Sequence, residues 1–361
     1  MNLVKTQGIK YIGSKEKIIP YILFLVGKVN PQVVLDGFSG TTRVSQALAK
    51  SGYCVYSNDI AIWSKVFEQC YLLNQKPADY YQKIIDYLNN LSGKYGWFTE
   101  HYGGRPDDNK CKRPWQIHNT MKLDAIREEI DKVVSDEIEK SVLLTSLILA
   151  LDKVDNTLGH YASYLKGWSK RSYNTLKLEV PDFVISNKEH KVYQKDIFEL
   201  LPVIKEVDLA YFDPPYGSNN DKMPPSRVRY QAYYHIWTTI IKNDKPQLFG
   251  SANRRFDSSD KISYSPFEDF RKNKEGQFVV METIKKLIEM TPAKFIIFSY
   301  SSGGRLPFEI LADLFSKHTD IVEVLKINHK ENVMGSMRWT NEWIKEIKNP
   351  HQEYLFLLKK K

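Results

Sequence analysis

Asp213-Pro214-Pro215-Tyr216 puts a carboxylate, two backbone positions without donors and an aromatic ring within four residues. That combination suits the attack of a planar amine on a methyl group. The lone pair of an exocyclic base amine, such as N6 of adenine, is delocalised into the ring, so the nitrogen must move toward tetrahedral geometry before it can react. Ionised Asp213 can accept a hydrogen bond from one amine proton and the Pro214 carbonyl can accept the other, which localises the lone pair. Charge-assisted hydrogen bonds are the stronger class and count most where water is excluded. Two prolines fix φ, so the loop presents its acceptors with little freedom. Tyr216 then offers a face to an extruded base, worth about 1 to 3 kcal/mol against an unstacking cost of roughly a few kcal/mol. Asp and Pro also favour plain turns. Here, however, the apolar run 207–212 comes directly before them and reads as a short buried strand. The carboxyl end of such a strand is where α/β enzymes place ligands.

Other elements must position this loop. Residues 32–42 read as a buried strand, a glycine-bearing turn and the entry to a helix that runs to Lys50, and 53–59 as a second strand ending in a carboxylate. This is a βαβ unit. Gly37 and Gly40 would let the turn's backbone approach a ligand, although tight strand-to-helix turns need glycine for steric reasons as well. Asp59 stands where such units hold ribose hydroxyls. From Ala61 to 187 the pattern becomes helical, with apolar residues at helical spacing over 121–134 and 136–154, and we expect a helical insertion there, with 97–113 as a loop. Strand-like sequence resumes at 191–196, continues through the motif strand and 293–300, and closes with an antiparallel pair, 321–328 and 353–358. Residues 1–60 and 188–361 then form the catalytic part. Asp196 has two readings of equal weight: a hydrogen-bond partner for a cofactor's adenine amine, or the N-cap of a helix starting at Ile197.

Composition limits the partners. In 361 residues, 52 Lys plus Arg against 43 Asp plus Glu leave a formal charge of +9, which favours a polyanion, and 22 Tyr supply stacking surfaces. Cys54, Cys70 and Cys111 are widely spaced, with no CxxC pair, which argues against a disulfide framework and a zinc site and suits a reducing cytosol. The first residues lack an apolar secretory core, and the plainly apolar helical stretch 141–151 is too short to span a bilayer. We therefore expect a soluble cytoplasmic protein with no metal and no membrane partner.

Lys10-Tyr11-Ile12-Gly13-Ser14-Lys15, the 36–40 turn, Asp59, Asp196 and the 213–216 motif occur in an order that resembles Dam-like, D12-class DNA adenine-N6 methyltransferases. The likeness covers nearly the whole chain and extends to Gly159-His160-Tyr161, Tyr233-Tyr234-His235, Ser299-Tyr300-Ser301 and Glu353-Tyr354-Leu355-Phe356. It implies an α/β fold, a Rossmann-like class I methyltransferase sheet with a helical insertion and a terminal antiparallel hairpin. It also implies S-adenosylmethionine as cofactor. Tyr11, Gly13, Ser14 and Lys15 would close over the cofactor's methionine end. Asp36, Phe38, Ser39, Gly40, Thr41 and Thr42 would line its pocket, Asp59 would bind the ribose and Asp196 the adenine, with Asp213 at the reacting end. The sequence departs from the family's FxGxG turn at Thr42, where a second glycine is common. Aspartate at the first motif position resembles the adenine enzymes more than the N4-cytosine ones.

The partner implied is double-stranded DNA, with a cognate restriction endonuclease beside it. The segment 217–277 interleaves Lys222, Arg227, Arg229, Arg254 and Arg255 with Tyr230, Tyr233, Tyr234 and Trp237, next to His235, and reads as a strand-gripping stretch that helps flip the base. A solvated loop is the plainer account. His160, Tyr161 and Lys166 of the insertion are a second candidate surface, although lone histidines are more often structural. Two other functions fit the same residues: an RNA base methyltransferase, and a catalytically idle DNA-binding subunit of the same fold.

Overall fold

The computed structural model describes residues 4–107, 113–217, 230–259, 265–269, 271–329 and 351–361. Its centre is a seven-stranded sheet built from β1 (Val33–Asp36), β2 (Cys54–Asn58), β3 (Lys191–Tyr193), β4 (Leu209–Phe212), β5 (Phe295–Ser301), β6 (Thr319–His329) and β7 (His351–Lys360). The order is β6-β7-β5-β4-β1-β2-β3. β1 pairs in parallel with β2 and β4, β2 with β3, and β4 with β5, whereas β7 runs antiparallel to both β5 and β6. This is the class I methyltransferase arrangement expected from the sequence, with its terminal antiparallel hairpin.

The central strands are continuous apolar runs because both faces are covered. Leu35, Ala210, Phe212, Ile296 and Phe298 face one core, against α11 (Val279–Met290) and α12 (Phe308–His318). Val34, Leu209, Tyr211 and Ile297, the alternate positions, face α1 (Ile19–Val29) and α2 (Arg43–Lys50). The chain reverses direction across the sheet between β1 and β4, so a crevice opens at the carboxyl ends of these two strands, as the topology of open α/β sheets requires.

The insertion is helical, as expected: α3 (Ile62–Glu68), α4 (Ala78–Asn90), α5 (Trp97–Tyr102), α6 (Ile117–Val133) and α7 (Glu137–Lys153). Asp136 caps α7 by accepting from the Ile138 and Glu139 amides at 2.9 Å. α5 corrects the expectation of a loop over 97–113. Its cap is Asp124 on α6, which accepts from the Phe98 and Thr99 amides at 2.9 and 2.8 Å, so the signal that starts this helix lies far downstream. After the short α8 (Ile197–Leu200) and α9 (Tyr230–Tyr233), α10 (His235–Lys242) leaves the catalytic part of the chain and packs into the insertion. Tyr234, Ile236, Trp237 and Ile240 join Trp63, Trp115 and Leu147 in one buried cluster. Arg127 of α6 binds the end of α10 by donating to the Ile240 and Ile241 carbonyls at 2.5 and 3.0 Å. Among the described residues no helix is long and apolar enough to cross a membrane.

Candidate active site

A cavity of about 240 Å³ opens at the ends of β1, β2 and β4. Of the residues expected to hold a cofactor, Tyr11, Gly13, Ser14, Lys15, Phe38, Ser39, Gly40, Thr41, Asp59, Asp196 and Asp213 line it. Asp36 and Thr42 do not; both are fully buried. Tyr230, Trp63 and Phe267, which sequence reasoning did not assign to a cofactor site, complete its walls.

The turn after β1 is held from both sides. Gly37 N donates to Tyr211 O and Ser39 N to Asn58 O, each at 3.0 Å. A side chain at Gly37 would meet the Phe212 ring at 2.6 Å, so glycine is required there by close approach to the motif strand. Asp59 accepts from Gly40 N through Oδ2 and from Ala61 N through Oδ1, both at 2.9 Å, and burial pushes its pKa up. Thr42, where the resemblance leads one to expect a glycine, has φ +62°, the left-handed conformation that glycine adopts without strain. The turn therefore keeps a glycine-like path with a β-branched residue in it. Thr42 Oγ1 donates to Thr41 O at 2.7 Å and accepts from Gln46 Nε2 at 3.0 Å.

Asp196 Oδ1 accepts from Phe198 N at 2.8 Å and so caps α8, and the residue also lines the cavity. Below the turn lies a buried polar chain. Ser45 Oγ donates to Asp36 Oδ2 at 2.6 Å and contacts Ser57 Oγ at 2.7 Å, while Ser57 and Ser39 both donate to Glu68 Oε1. Burial pushes Asp36 up to about 7 and Glu68 well above the carboxylate range. Sequence reasoning missed Glu68, whose place in a helical run carries no sign of it.

At the motif, the described residues hold Asp213 through its Oδ1. Lys15 Nζ lies 3.0 Å from that oxygen, and the Tyr216 hydroxyl donates to it. Oδ2 has no partner among the described residues, and Asp213 lines the cavity. Burial raises the Asp213 pKa to about 6, with the Lys15 ammonium opposing and the Glu353 carboxylate adding to the rise. Burial works against the Lys15 charge, but Asp213 and Glu353 outweigh it and raise its pKa.

The structure revises the role expected of Tyr216. Its hydroxyl contacts Asp213, Ser299 Oγ at 3.1 Å and Glu353 Oε1 at 2.7 Å, and its ring is contacted by Lys15 Nζ and the Tyr300 ring, each at 4.7 Å from centroid. Tyr216 is thus turned toward buried charges and is not among the cavity-lining residues, so a freely offered stacking face is not what is seen. In the sequence Glu353 was legible as part of the closing strand and of the resemblance over 353–356, not as a partner of Tyr216.

The DNA-contacting candidates divide. Lys222, Arg227 and Arg229 lie outside the described residues. Tyr161, Tyr234 and His235 are buried in the insertion core and are corrected from surface contacts to packing residues. Tyr234 donates to Gly159 O, and Ile12 N donates to its hydroxyl. Burial lowers His235 to about 3 and His160 to about 4, and His160 stacks on Tyr233 with centroids 4.5 Å apart. Arg255 is also buried, in bidentate contact with Asp244 at 2.7 and 2.8 Å and with Asp257 at 3.0 and 2.9 Å, so its charge is already neutralised. The aromatic spacing that suggested a nucleic-acid grip was instead core packing for α10. Lys166 is exposed, and Arg254 is half-buried over the Phe249 ring.

The cavity suits a ligand with a flat heterocycle, hydroxyls and a cationic centre. Tyr11, Phe38, Trp63 and Phe267 provide aromatic wall, Asp59 and Asp213 provide carboxylates, and Ser14 Oγ is buried with no hydrogen-bond partner among the described residues.

Residues 11–277 match the family described as D12 class N6 adenine-specific DNA methyltransferase. The chain is 30% identical over 345 residues to modification methylase StsI of Streptococcus sanguinis, covering 89% of this chain and 48% of that protein. It is 28% identical over 344 residues to modification methylase LlaI of Lactococcus lactis subsp. lactis, covering 89% and 51%. Over 389 residues it is 26% identical to type II methyltransferase M2.HphI of Haemophilus parahaemolyticus, covering 99% of each. The chain thus spans about half the length of the first two relatives and nearly all of the third.

Proposed function

The chain belongs to the family of D12 class N6 adenine-specific DNA methyltransferases, and from that membership we propose that it methylates N6 of adenine in double-stranded DNA. S-adenosylmethionine, when bound, supplies an electrophilic methyl group carried on a sulfonium. Asp59 would hold its ribose hydroxyls and the second carboxylate oxygen of Asp196 its adenine amine. Tyr11, Gly13, Ser14 and Lys15 would close over its methionine end, and residues 38–41 of the turn would form the floor. The reacting adenine leaves the helix and presents its amine to Asp213 Oδ2 and the Pro214 carbonyl. The observation that carries this reading is the asymmetric hold on Asp213, a residue that lines the cavity: Lys15 and Tyr216 fix Oδ1, while Oδ2 has no partner among the described residues. Pro215, also on the lining, keeps the loop rigid.

Recognition of a defined DNA sequence, service as the modification half of a restriction-modification system and a cytoplasmic location belong to the same reading. The relatives' names as modification methylases support it. Of the basic residues expected to meet phosphate, Lys166 is exposed and Arg254 half-buried. The test is transfer of tritium from labelled S-adenosylmethionine to duplex DNA, followed by nucleoside analysis. N6-methyladenine is expected from the wild-type chain, and Asp213→Ala should lose at least three orders of magnitude in rate while still binding the cofactor, about 4 kcal/mol in barrier. Label in ribosomal RNA instead of DNA, or appreciable turnover by Asp213→Ala, would overturn the reading.

A further inference from the structure

Glu353, near the start of β7, is 5% exposed and lies against the motif loop. Its Oε1 contacts three potential donors: Ser299 Oγ of β5 at 2.7 Å, the Tyr216 hydroxyl at 2.7 Å and Lys15 Nζ at 3.3 Å. The Tyr216 hydroxyl also contacts Asp213 Oδ1, and Lys15 Nζ lies 3.0 Å from that oxygen. A phenol has a single hydrogen and cannot donate it to both carboxylates. Ser299 can serve Glu353, but the Tyr216 hydrogen must choose, and the choice depends on which carboxyl is the stronger acceptor.

We propose that Glu353 is a positioning residue for proton release: as Asp213 takes the proton of the methylated amine, the Tyr216 hydrogen turns from Asp213 to Glu353, which keeps Lys15 paired. The inference rests on the methyl-transfer reading above. In that reaction the amine nitrogen uses its lone pair to bond the methyl carbon as the methyl–sulfur bond breaks, and that bond's electron pair stays on sulfur. The nitrogen, now four-bonded and positive, gives a proton to Asp213 Oδ2 and keeps the N–H electron pair. Asp213 Oδ1 then becomes a neutral carbonyl oxygen, a weaker acceptor than the Glu353 carboxylate. Without Glu353, the Lys15 ammonium would bear on Asp213 alone and hold down its affinity for the proton. Among the described residues, the other groups facing Asp213 are Tyr211 on β4, Tyr230 on α9 and Asp36 on β1, none of them cationic.

The deciding experiment does not need turnover. In cofactor-free protein, the carbon resonance of the Asp213 carboxyl, identified by its loss in Asp213→Asn, is titrated by NMR in wild type and in Glu353→Gln. The midpoint should fall by about one pH unit or more in Glu353→Gln, and Glu353→Asp should bring it back to within about half a unit. The acidic limb of the single-turnover rate profile should move with it. An unmoved midpoint in folded Glu353→Gln overturns the proposal whatever the activity. Tyr216→Phe covers the case in which Glu353→Gln does not fold. It removes a donor from the Asp213 carboxylate, so the midpoint must rise, and an unchanged value again overturns the proposal. A wild-type chain that shows the midpoint shift but transfers no methyl group to DNA refutes the proposed function while upholding the Asp213–Glu353 coupling.

Discussion

Lys15 is the residue on which the motif's charges balance. Two carboxylates, Asp213 and Glu353, share this one ammonium, and all three are largely buried. Burial still raises Asp213 to about 6, so its ionised form, the one that can accept from an amine, dominates only above that pH. The sign follows directly. Lowering the pH through about 6 protonates Asp213, and kcat/KM should fall roughly tenfold per pH unit below it, as read in a pH–rate profile. Tyr216 belongs to the same balance. Because its hydroxyl is tied to both carboxylates, Tyr216→Phe should itself lose about tenfold in single-turnover rate, about 1.4 kcal/mol, even though its ring is intact. Full activity in Tyr216→Phe would return the residue to the purely stacking role that its place in the motif suggested.

Between β1 and α2 the turn carries an element-scale conflict. Thr42 sits at φ +62°, and the hydrogen bonds of its hydroxyl to Thr41 O and from Gln46 stabilise a conformation that its Cβ disfavours. Thr42→Ala and Thr42→Gly both remove those hydrogen bonds, but only alanine keeps the left-handed penalty. The glycine variant should therefore unfold at the higher temperature of the two, by about 1 kcal/mol in stability, in parallel thermal melts. The same comparison of local and distant causes explains what was legible in the sequence. β1, β2, β4 and the closing hairpin were readable because buried strands and glycine turns announce themselves within a few residues. α5 was not, since its cap is Asp124, 26 and 25 residues from the amides it accepts from. Within the segment 217–277, the aromatic residues around α10 were misread because tyrosines among basic residues look alike whether they grip a nucleic acid or fill a core, and only the position of α10 against Trp63 and Trp115 decides. Glu353 reaches Tyr216 across 137 positions, a contact that no local pattern encodes.

The molecule as a whole carries its buried acids under the sheet's ligand-binding edge, and they should govern how stability depends on pH. Asp36 is raised to about 7 and Glu68 well above the carboxylate range, both mainly by burial. An acid whose pKa is higher in the folded than in the unfolded state binds more protons when folded. Stability then falls as pH rises from the ordinary carboxylate value through the raised one. The buried histidines His160 and His235, lowered to about 4 and about 3, work the other way, but only below about 6.5, where the unfolded chain begins to take up their protons. Above that pH the histidines are neutral in both states, and the acids alone set the slope. Cofactor-free protein should therefore melt at a lower temperature at pH 8 than at pH 6.5, with Asp36 and Glu68 both contributing in that direction. Glu68→Gln keeps a carbonyl oxygen for Ser39 and Ser57 but cannot ionise, so its melting temperature should change less over the same interval. If the two proteins lose the same number of degrees between pH 6.5 and 8, Glu68 is not held as a neutral acid beneath the turn, and another buried group must be the source of the slope.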